Sequence, residues 1–154
     1  MVQNIVMTRE DTGRDILSTP CEKVTVEEAS TIVKDLIDTV KYHEELYKCG
    51  KITNKCYGLS ANQIGINKAV FVYKTLIGRW SHMINPIIVK KSKKVINSIE
   101  GCMSMDSERI FIRSKSIEIC YQRLGSTRLH KATISSFTAI VIQHEMDHLN
   151  GILI

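Results

Sequence analysis

The chain ends with two histidines and a glutamate at a spacing that suits metal chemistry, His144-Glu145-Met146-Asp147-His148. On a helix, this His-Glu-x-x-His pattern puts the two imidazoles one turn apart on the same face, where both can hold one metal ion. The glutamate beside the first histidine can then act as a base on a water molecule that the metal activates. His144, Glu145 and His148 are therefore the first candidate site residues.

A third protein ligand must complete such a site, and we expect it upstream of the motif. Only three residues follow Gly151 in the sequence, and Asn150 is a poor metal ligand. The best upstream candidate is Cys102, because a cysteine thiolate and two imidazoles make a tetrahedral site whose fourth position is open to water. The sequence therefore predicts a metal centre formed by Cys102, His144 and His148.

A third segment, residues 58–65, is a turn of small residues that carries the carboxamide of Gln63. Together with residues 100–104 and 143–149, it resembles the three motifs of the peptide deformylase family, which read approximately G-x-G-L-(A/S)-A-x-Q, E-G-C-L-S and Q-H-E-x-D-H-L. The motifs occur here in the family's order with family-like gaps, and the resemblance covers roughly residues 14–152.

Enzymes of this family remove the N-formyl group from newly made polypeptides of the bacterial type. The resemblance implies that N-formylmethionyl nascent peptides are the substrates and that Cys102, His144 and His148 hold one divalent metal ion. The family typically uses Fe(II), with Ni(II) or Co(II) as good substitutes and Zn(II) usually a poorer one. The ligands themselves leave the metal open, because the same set suits zinc.

The resemblance also assigns the catalytic groups. Glu145 would take a proton from the attacking water and pass it to the departing amine. Attack on the formyl carbon creates an oxyanion, and the implied donors to it are the side-chain amide of Gln63 and the backbone N–H of Met103. Gly58 is expected to let the turn bring Gln63 close to the metal, since glycine is conformationally permissive.

Substrate recognition is expected from the helix face that precedes His144. A methionine-sized apolar pocket lined partly by Phe137 and Ile140, with Tyr57 as a further contributor, would fit N-formylmethionyl peptides. Arg109 matches a family position that helps to hold the peptide backbone.

Glu100 and Arg113 match family positions that form an ion pair behind the metal loop. The role of Asp147 stays open between orienting a ligand and making a structural contact. The chain departs from the family where Cys56 replaces the usual glycine, which could alter the turn or place a stray thiol near the metal. Ser60 replaces the commoner alanine, and we expect that change to matter little.

The composition is that of an ordinary globular domain. The 154 residues, with 44% hydrophobic and 24% charged side chains, predict a single domain over residues 1–154. Five scattered cysteines without paired spacing argue against a disulfide framework, and no stretch resembles a signal peptide or a membrane span. A cytoplasmic protein is therefore expected, and the deformylase hypothesis adds that it acts as a monomer in a bacterial cytoplasm. The net charge of +5 is compatible with work near ribosomal RNA, although a merely basic surface is the simpler explanation.

The predicted elements make an α+β fold, with antiparallel strands packed around the C-terminal metal-binding helix and one long N-terminal helix. Thr25 and Glu28 form a capping-box signature at the start of that long helix, which is expected to stop at Gly50. Its apolar face is predicted to contain, with Tyr47 as a further candidate, Ala29, Val33, Leu36, Ile37 and Val40. Ser135 or Ser136 can cap the last helix. Strands are predicted over residues 69–73, 83–89, 95–99, 117–121 and 128–134, with residues 90–94 as the lysine-rich end of a hairpin and a turn at residues 124–126.

Two other functions compete with deformylation: hydrolysis of another N-acyl substrate, and a catalytically silent homologue that binds nascent chains or the ribosome. Family members commonly continue beyond the final motif, and in some a C-terminal helix attaches the enzyme to the ribosome. This chain stops three residues after Gly151 and resembles the short forms encoded by some bacteriophages; a longer protein that has been trimmed is the alternative. A ribosome contact is thus left open, but not through a C-terminal tail.

Overall fold

The structure, a computed structural model, describes residues 1–8, 10–105 and 107–154. Within these ranges the chain combines helices with antiparallel strands, so the predicted α+β class is confirmed. The helices are α1 (Asp11–Leu17), α2 (Val26–Lys48) and α3 (Ser136–Leu149), with one 3₁₀ helix (Ala61–Ile64). The strands are β1 (Gly58–Ser60), β2 (Val70–Lys74), β3 (Trp80–Lys91), β4 (Val95–Glu100), β5 (Arg109–Ser114), β6 (Ser116–Arg123) and β7 (Ser126–Ser135).

Helix α2 begins at the predicted capping box. The Glu28 backbone N–H donates to Thr25 Oγ1 over 3.2 Å, and the Thr25 N–H donates to Glu28 Oε2 over 3.1 Å. The helix ends before Gly50, whose φ of +69° is typical of a glycine that terminates a helix. Tyr47 was expected on the apolar face, but it is exposed in the last turn. The buried face consists of Ala29, Ile32, Val33, Leu36, Thr39 and Val40.

Five strands form one antiparallel sheet in the order β1-β2-β3-β6-β7, and β4 pairs with β5 in a separate two-stranded sheet. Strand β2 is buried along most of its length. Val70 and Val72 belong to the core cluster under α2, whereas Phe71 and Tyr73 belong to the cluster under α3. Because side chains alternate along a strand, β2 faces both helices and is buried on both sides.

The lysine-rich segment does not form the predicted hairpin, because β3 and β4 belong to different sheets. The segment instead binds the connection between β5 and β6. The Ser92 N–H donates to the Ser116 carbonyl and the Lys115 N–H donates to the Lys94 carbonyl, both over 2.9 Å. These bonds satisfy the backbone groups that a hairpin would have paired.

Helix α3 begins after Ser135, which adopts an extended conformation without a side-chain capping bond. The Gln143 side chain attaches the helix to β5, since its Oε1 accepts from the Ser114 N–H (3.0 Å) and its Nε2 donates to the Ser114 carbonyl (2.8 Å). After the helix, Gly151 has a φ of +70°, and a Cβ there would lie 2.5 Å from the Ser18 carbonyl oxygen. No helix in the described ranges combines the length and apolar character needed to cross a membrane.

Candidate metal centre

The structure brings the three predicted ligands together. His144 and His148 lie one turn apart on α3, with ring centroids 5.1 Å apart, and Cys102 follows the end of β4. One potential ligand atom from each of the three residues lies within 4.8 Å of the others. The Cys102 Sγ and His148 Nε2 atoms are 3.1 Å apart. We call Cys102, His144 and His148 the metal-ligand cluster.

The hydrogen bonds around this cluster suit a divalent cation. His144 Nδ1 contacts Glu100 Oε2 at 2.9 Å, so the other ring nitrogen remains for a metal, the arrangement that metal-bound histidines usually adopt. The Gln63 amide and the Ser104 backbone N–H both donate to Cys102 Sγ, over 3.3 and 3.4 Å. A cysteine sulfur with two imidazoles is a common tetrahedral donor set for a metal ion.

The electrostatics of the cluster also favour a positive charge. Burial keeps the pKa of His148 well below its ordinary value, aided by the charges of His144 and Arg113, so this imidazole stays neutral and able to bind a metal. Burial also acts to lower the pKa of His144, but hydrogen bonds to Cys102 and Glu100 outweigh it and raise that pKa to about 10. Cys102 and Glu100, the partners that raise the pKa of His144, would equally favour a metal cation at this position.

Glu100 connects the cluster to a buried arginine. The Arg113 guanidinium donates to both Glu100 carboxylate oxygens, over 2.8 and 2.7 Å, and to Asp147 Oδ2 over 2.5 Å. Burial raises the pKa of Glu100, but the hydrogen bonds from Arg113 and His144 outweigh it and bring that pKa to about 2. The carboxylate therefore stays ionised and fixes the His144 ring, while Asp147 completes the ion-pair network.

Glu145 is buried, and its carboxylate contacts strand β1. The Ser60 hydroxyl donates to Glu145 Oε2 over 2.6 Å. Burial raises the pKa of Glu145 to about 7, against the opposing effects of the His144 charge and the Ser60 hydrogen bond. A carboxyl group with a pKa near neutrality is well matched to accepting and returning a proton.

Gly58 has a different role from the predicted one. Its φ does not lie in the left-handed region, so backbone freedom does not explain the glycine. A Cβ built on Gly58 would instead lie 2.3 Å from Glu145 Oε1 and 2.9 Å from Glu145 Cγ. The missing side chain therefore makes room for the Glu145 carboxylate.

Gln63 lies on the 3₁₀ helix with its carboxamide held at both ends. Its Oε1 accepts from the Ser60 backbone N–H over 2.9 Å, and its Nε2 also donates to Ser104 Oγ over 3.1 Å. The side chain is almost fully buried, at 2% exposure. The structure thus places a fixed amide donor beside Cys102.

These groups share one cleft of about 290 Å³. The predicted pocket residues Tyr57, Phe137 and Ile140 line it together with Met103, and the Tyr57 and Phe137 rings meet edge to face at 4.8 Å. Arg109 is placed differently. It is exposed on β5 opposite Glu100, and it is not part of the cleft wall formed by the described residues.

Cys56 lies in the cleft wall but is buried, with its Sγ 3.2 Å from the Gly58 carbonyl oxygen. Burial raises the pKa of this thiol, which keeps it protonated and unreactive. Among the described residues, the group whose ligand atoms come together consists of Cys102, His144 and His148, without Cys56.

Sequence reasoning missed several polar residues that support the site. Asn62 Nδ2 donates to the His148 carbonyl over 2.7 Å, and Ser104 accepts from Gln63. Ser60 and Gln63 have the Ser-x-x-Gln spacing of a capping box, which could have indicated their contact. No local pattern points to Asn62, because its partner lies on α3.

An α+β fold that brings two imidazoles, a cysteine and a buried glutamate together suits a metal-dependent hydrolase, and the comparisons with known proteins agree. The profile of the polypeptide deformylase family matches residues 3–154. A peptide deformylase from Clostridium beijerinckii is 37% identical over 123 residues, which cover 80% of this chain and 82% of the relative. The chain belongs to the polypeptide deformylase family.

Solved structures show the same similarity. The crystal structure of peptide deformylase from Thermotoga maritima has a TM-score of 0.82 at 27% identity, covering 99% of this chain and 95% of that one. A Met-Ala-Ser-bound class I type b peptide deformylase from Acinetobacter baumannii has a TM-score of 0.78 at 25% identity, covering 99% and 97%. Both support an enzyme of the predicted family.

Proposed function

We propose that this chain hydrolyses the N-formyl group of N-formylmethionyl peptides and releases formate and a free amine. The observation that carries the proposal is that three kinds of functional group line the same cleft. Cys102 and His144 of the metal-ligand cluster, the Glu145 carboxylate and the Gln63 carboxamide all line it. Hydrolysis of a stable amide by this route requires a metal site, a base and a donor to the oxyanion, and the cleft contains groups suited to each.

Cys102, His144 and His148 would hold one divalent cation, and the family resemblance favours Fe(II), with Ni(II), Co(II) or Zn(II) as substitutes. Such an ion, when bound, would lower the pKa of a water molecule and polarise the formyl oxygen. Glu100 and Arg113 would support the ligands, because Glu100 holds His144 Nδ1 in place.

Glu145 would move the proton. Its carboxylate accepts a proton from water as the water oxygen attacks the formyl carbon, and it returns the proton to the amine nitrogen when the C–N bond breaks. The pKa of about 7 suits both halves of this exchange.

Gln63 and Met103 would stabilise the oxygen that gains negative charge. The Gln63 amide donates to Cys102 and Ser104. The hydrogen that faces Cys102 would donate to the substrate oxygen instead, while the Ser60 N–H keeps its bond to Gln63 Oε1. Met103 would contribute its backbone N–H. Losing one such donor typically slows an enzyme about 10²–10³-fold.

The substrate's methionine side chain would pack against Tyr57, Phe137 and Ile140 in the cleft. Gly58 would contribute to substrate binding because its missing side chain leaves space beside Glu145. Arg109 remains a proposed contact for the outer part of the peptide. In the proposed setting, the chain acts as a monomer on newly made formylated polypeptides in a bacterial cytoplasm.

The test compares two tripeptides that differ only in the acyl group. The Acinetobacter baumannii neighbour was solved with Met-Ala-Ser bound, so the probes are formyl-Met-Ala-Ser and acetyl-Met-Ala-Ser. The anaerobically purified chain, loaded with Fe(II) or Ni(II), should release formate from the first peptide and leave the acetyl group on the second. Cleavage of the acetyl peptide at a similar rate, or no formate from a folded and metal-loaded protein, would contradict the proposal.

A further inference from the structure

Strand β1 places two small residues against Glu145. Gly58 and Ser60 are two positions apart, so they lie on the same face of the strand, and both contact the Glu145 side chain. Leu59, between them, belongs to the core cluster under α2. The strand is paired with β2 at all three positions, which fixes its orientation relative to α3.

Ser60 is fully buried and uses both its hydroxyl and its backbone at the site. The hydroxyl lies 2.6 Å from Glu145 Oε2 and 3.3 Å from the Glu145 backbone carbonyl oxygen. The Ser60 N–H donates to Gln63 Oε1 over 2.9 Å. That bond determines which end of the Gln63 carboxamide faces Cys102.

We propose that Ser60 is a positioning residue that fixes the Glu145 carboxylate and the Gln63 carboxamide relative to each other. The inference rests on the proposed function, in which Glu145 moves the proton and Gln63 donates to the oxyanion. It goes beyond the sequence expectation that a serine in place of the commoner alanine is a small change.

The two contacts of Ser60 can be separated by mutation. A hydrogen bond of 2.6 Å to a carboxylate is charge-assisted and directional, so it selects one orientation of a flexible side chain. Ser60→Ala removes the hydroxyl but keeps the backbone N–H to Gln63. The variant should therefore free Glu145 and leave the oxyanion donor in place.

The experiment measures kcat and KM for formate release from formyl-Met-Ala-Ser by Ni(II)-loaded wild type, Ser60→Ala and a control, Ser114→Ala. Ser114 is also buried, and its hydroxyl donates to the Ser92 carbonyl over 3.1 Å, outside the cleft. Loss of the Ser60 hydroxyl should lower kcat about 10-fold, as expected for one charge-assisted hydrogen bond, and leave KM within about twofold. Ser114→Ala should leave both constants unchanged.

A kcat within about twofold of wild type would overturn the proposal. Parallel changes of kcat and KM, with a larger loss of thermal stability than in Ser114→Ala, would also overturn it, because they indicate a general structural role. If wild type releases no formate, the proposed function fails. Crystal structures of both proteins then decide the positioning claim: a displaced Glu145 carboxylate in Ser60→Ala supports it, and an unchanged carboxylate overturns it.

Discussion

The position of the Glu145 carboxylate depends on what the chain places on either side of it. Ser60 donates to one oxygen, and the missing side chain of Gly58 leaves space for the other. The chemical groups could be predicted from the sequence, because the spacing of His144, Glu145 and His148 on a helix has a direct geometric meaning. The function of Gly58 could not, because its neighbour lies on an element far along the chain.

Gly58→Ala tests this packing. The added Cβ would lie 2.3 Å from Glu145 Oε1, so the carboxylate must move. Since a displacement of about 1 Å can cost about 100-fold in rate, we expect kcat for formate release to fall by that order. Gly78→Ala is the control: its added Cβ meets no atom within 4 Å, and its φ of +77° makes the change costly to stability, so it shows whether strain at a glycine outside the cleft lowers kcat. Full activity of Gly58→Ala would show that the carboxylate does not need this space.

At the scale of elements, α3 must be held in register with β4 and β5 for the metal-ligand cluster to form. The Gln143 side chain makes this connection through both backbone groups of Ser114. The Arg113 ion pairs with Glu100 and Asp147 provide a second connection between the same elements.

Gln143→Ala should weaken the connection between α3 and β5. The change leaves the N–H and carbonyl of Ser114 without their partner in a buried setting, which costs about 2 kcal/mol. We expect the free energy of unfolding, measured by urea denaturation, to fall by about that amount. Gln122→Ala, which loses one hydrogen bond from Asn85 at a less buried position, should cost clearly less. Equal costs for the two variants would contradict the assigned role of Gln143.

Sequence patterns predicted some elements better than others, for physical reasons. The capping box of α2 and the turn at Gly125 are local signals, and the structure has both. The hairpin at residues 90–94 was wrong, because strand pairing depends on partners that are distant in sequence. Helix α1 and strands β1 and β5 were not predicted, and β1 with the 3₁₀ helix occupies the segment predicted to be a turn. Strand β5 does show an alternating pattern at Ile110 and Ile112, and both side chains are exposed.

At the scale of the whole molecule, α2 and α3 pack on opposite faces of β2. A polar cluster joins α2 to two strands at the edge of this core. Glu44 accepts a hydrogen bond from Trp80 Nε1 over 3.1 Å and pairs with Lys74. Burial raises the pKa of Glu44, but the hydrogen bonds from Lys74 and Trp80 outweigh it, so that pKa lies below its ordinary value.

The Glu44 cluster makes a testable contribution to the pH dependence of stability. Because the pKa is lower in the folded state, the ionised carboxylate stabilises the fold above its unfolded pKa, and this contribution disappears as the pH falls through the folded pKa. Urea denaturation should therefore show Glu44→Gln to be less stable than wild type at about pH 6, with the difference shrinking toward about pH 3. A difference that stays constant over this range would contradict the assignment.

The central claim is that the metal-ligand cluster and Glu145 together perform deformylation. The most direct test is the rate of formate release per bound metal ion, from formyl-Met-Ala-Ser, for wild type and Glu145→Gln loaded anaerobically with Ni(II). The account predicts that both proteins bind one metal ion and that the variant loses about 10²–10⁴-fold in kcat, the usual contribution of a general base. Turnover by Glu145→Gln at the wild-type rate, with the metal bound, would contradict the account.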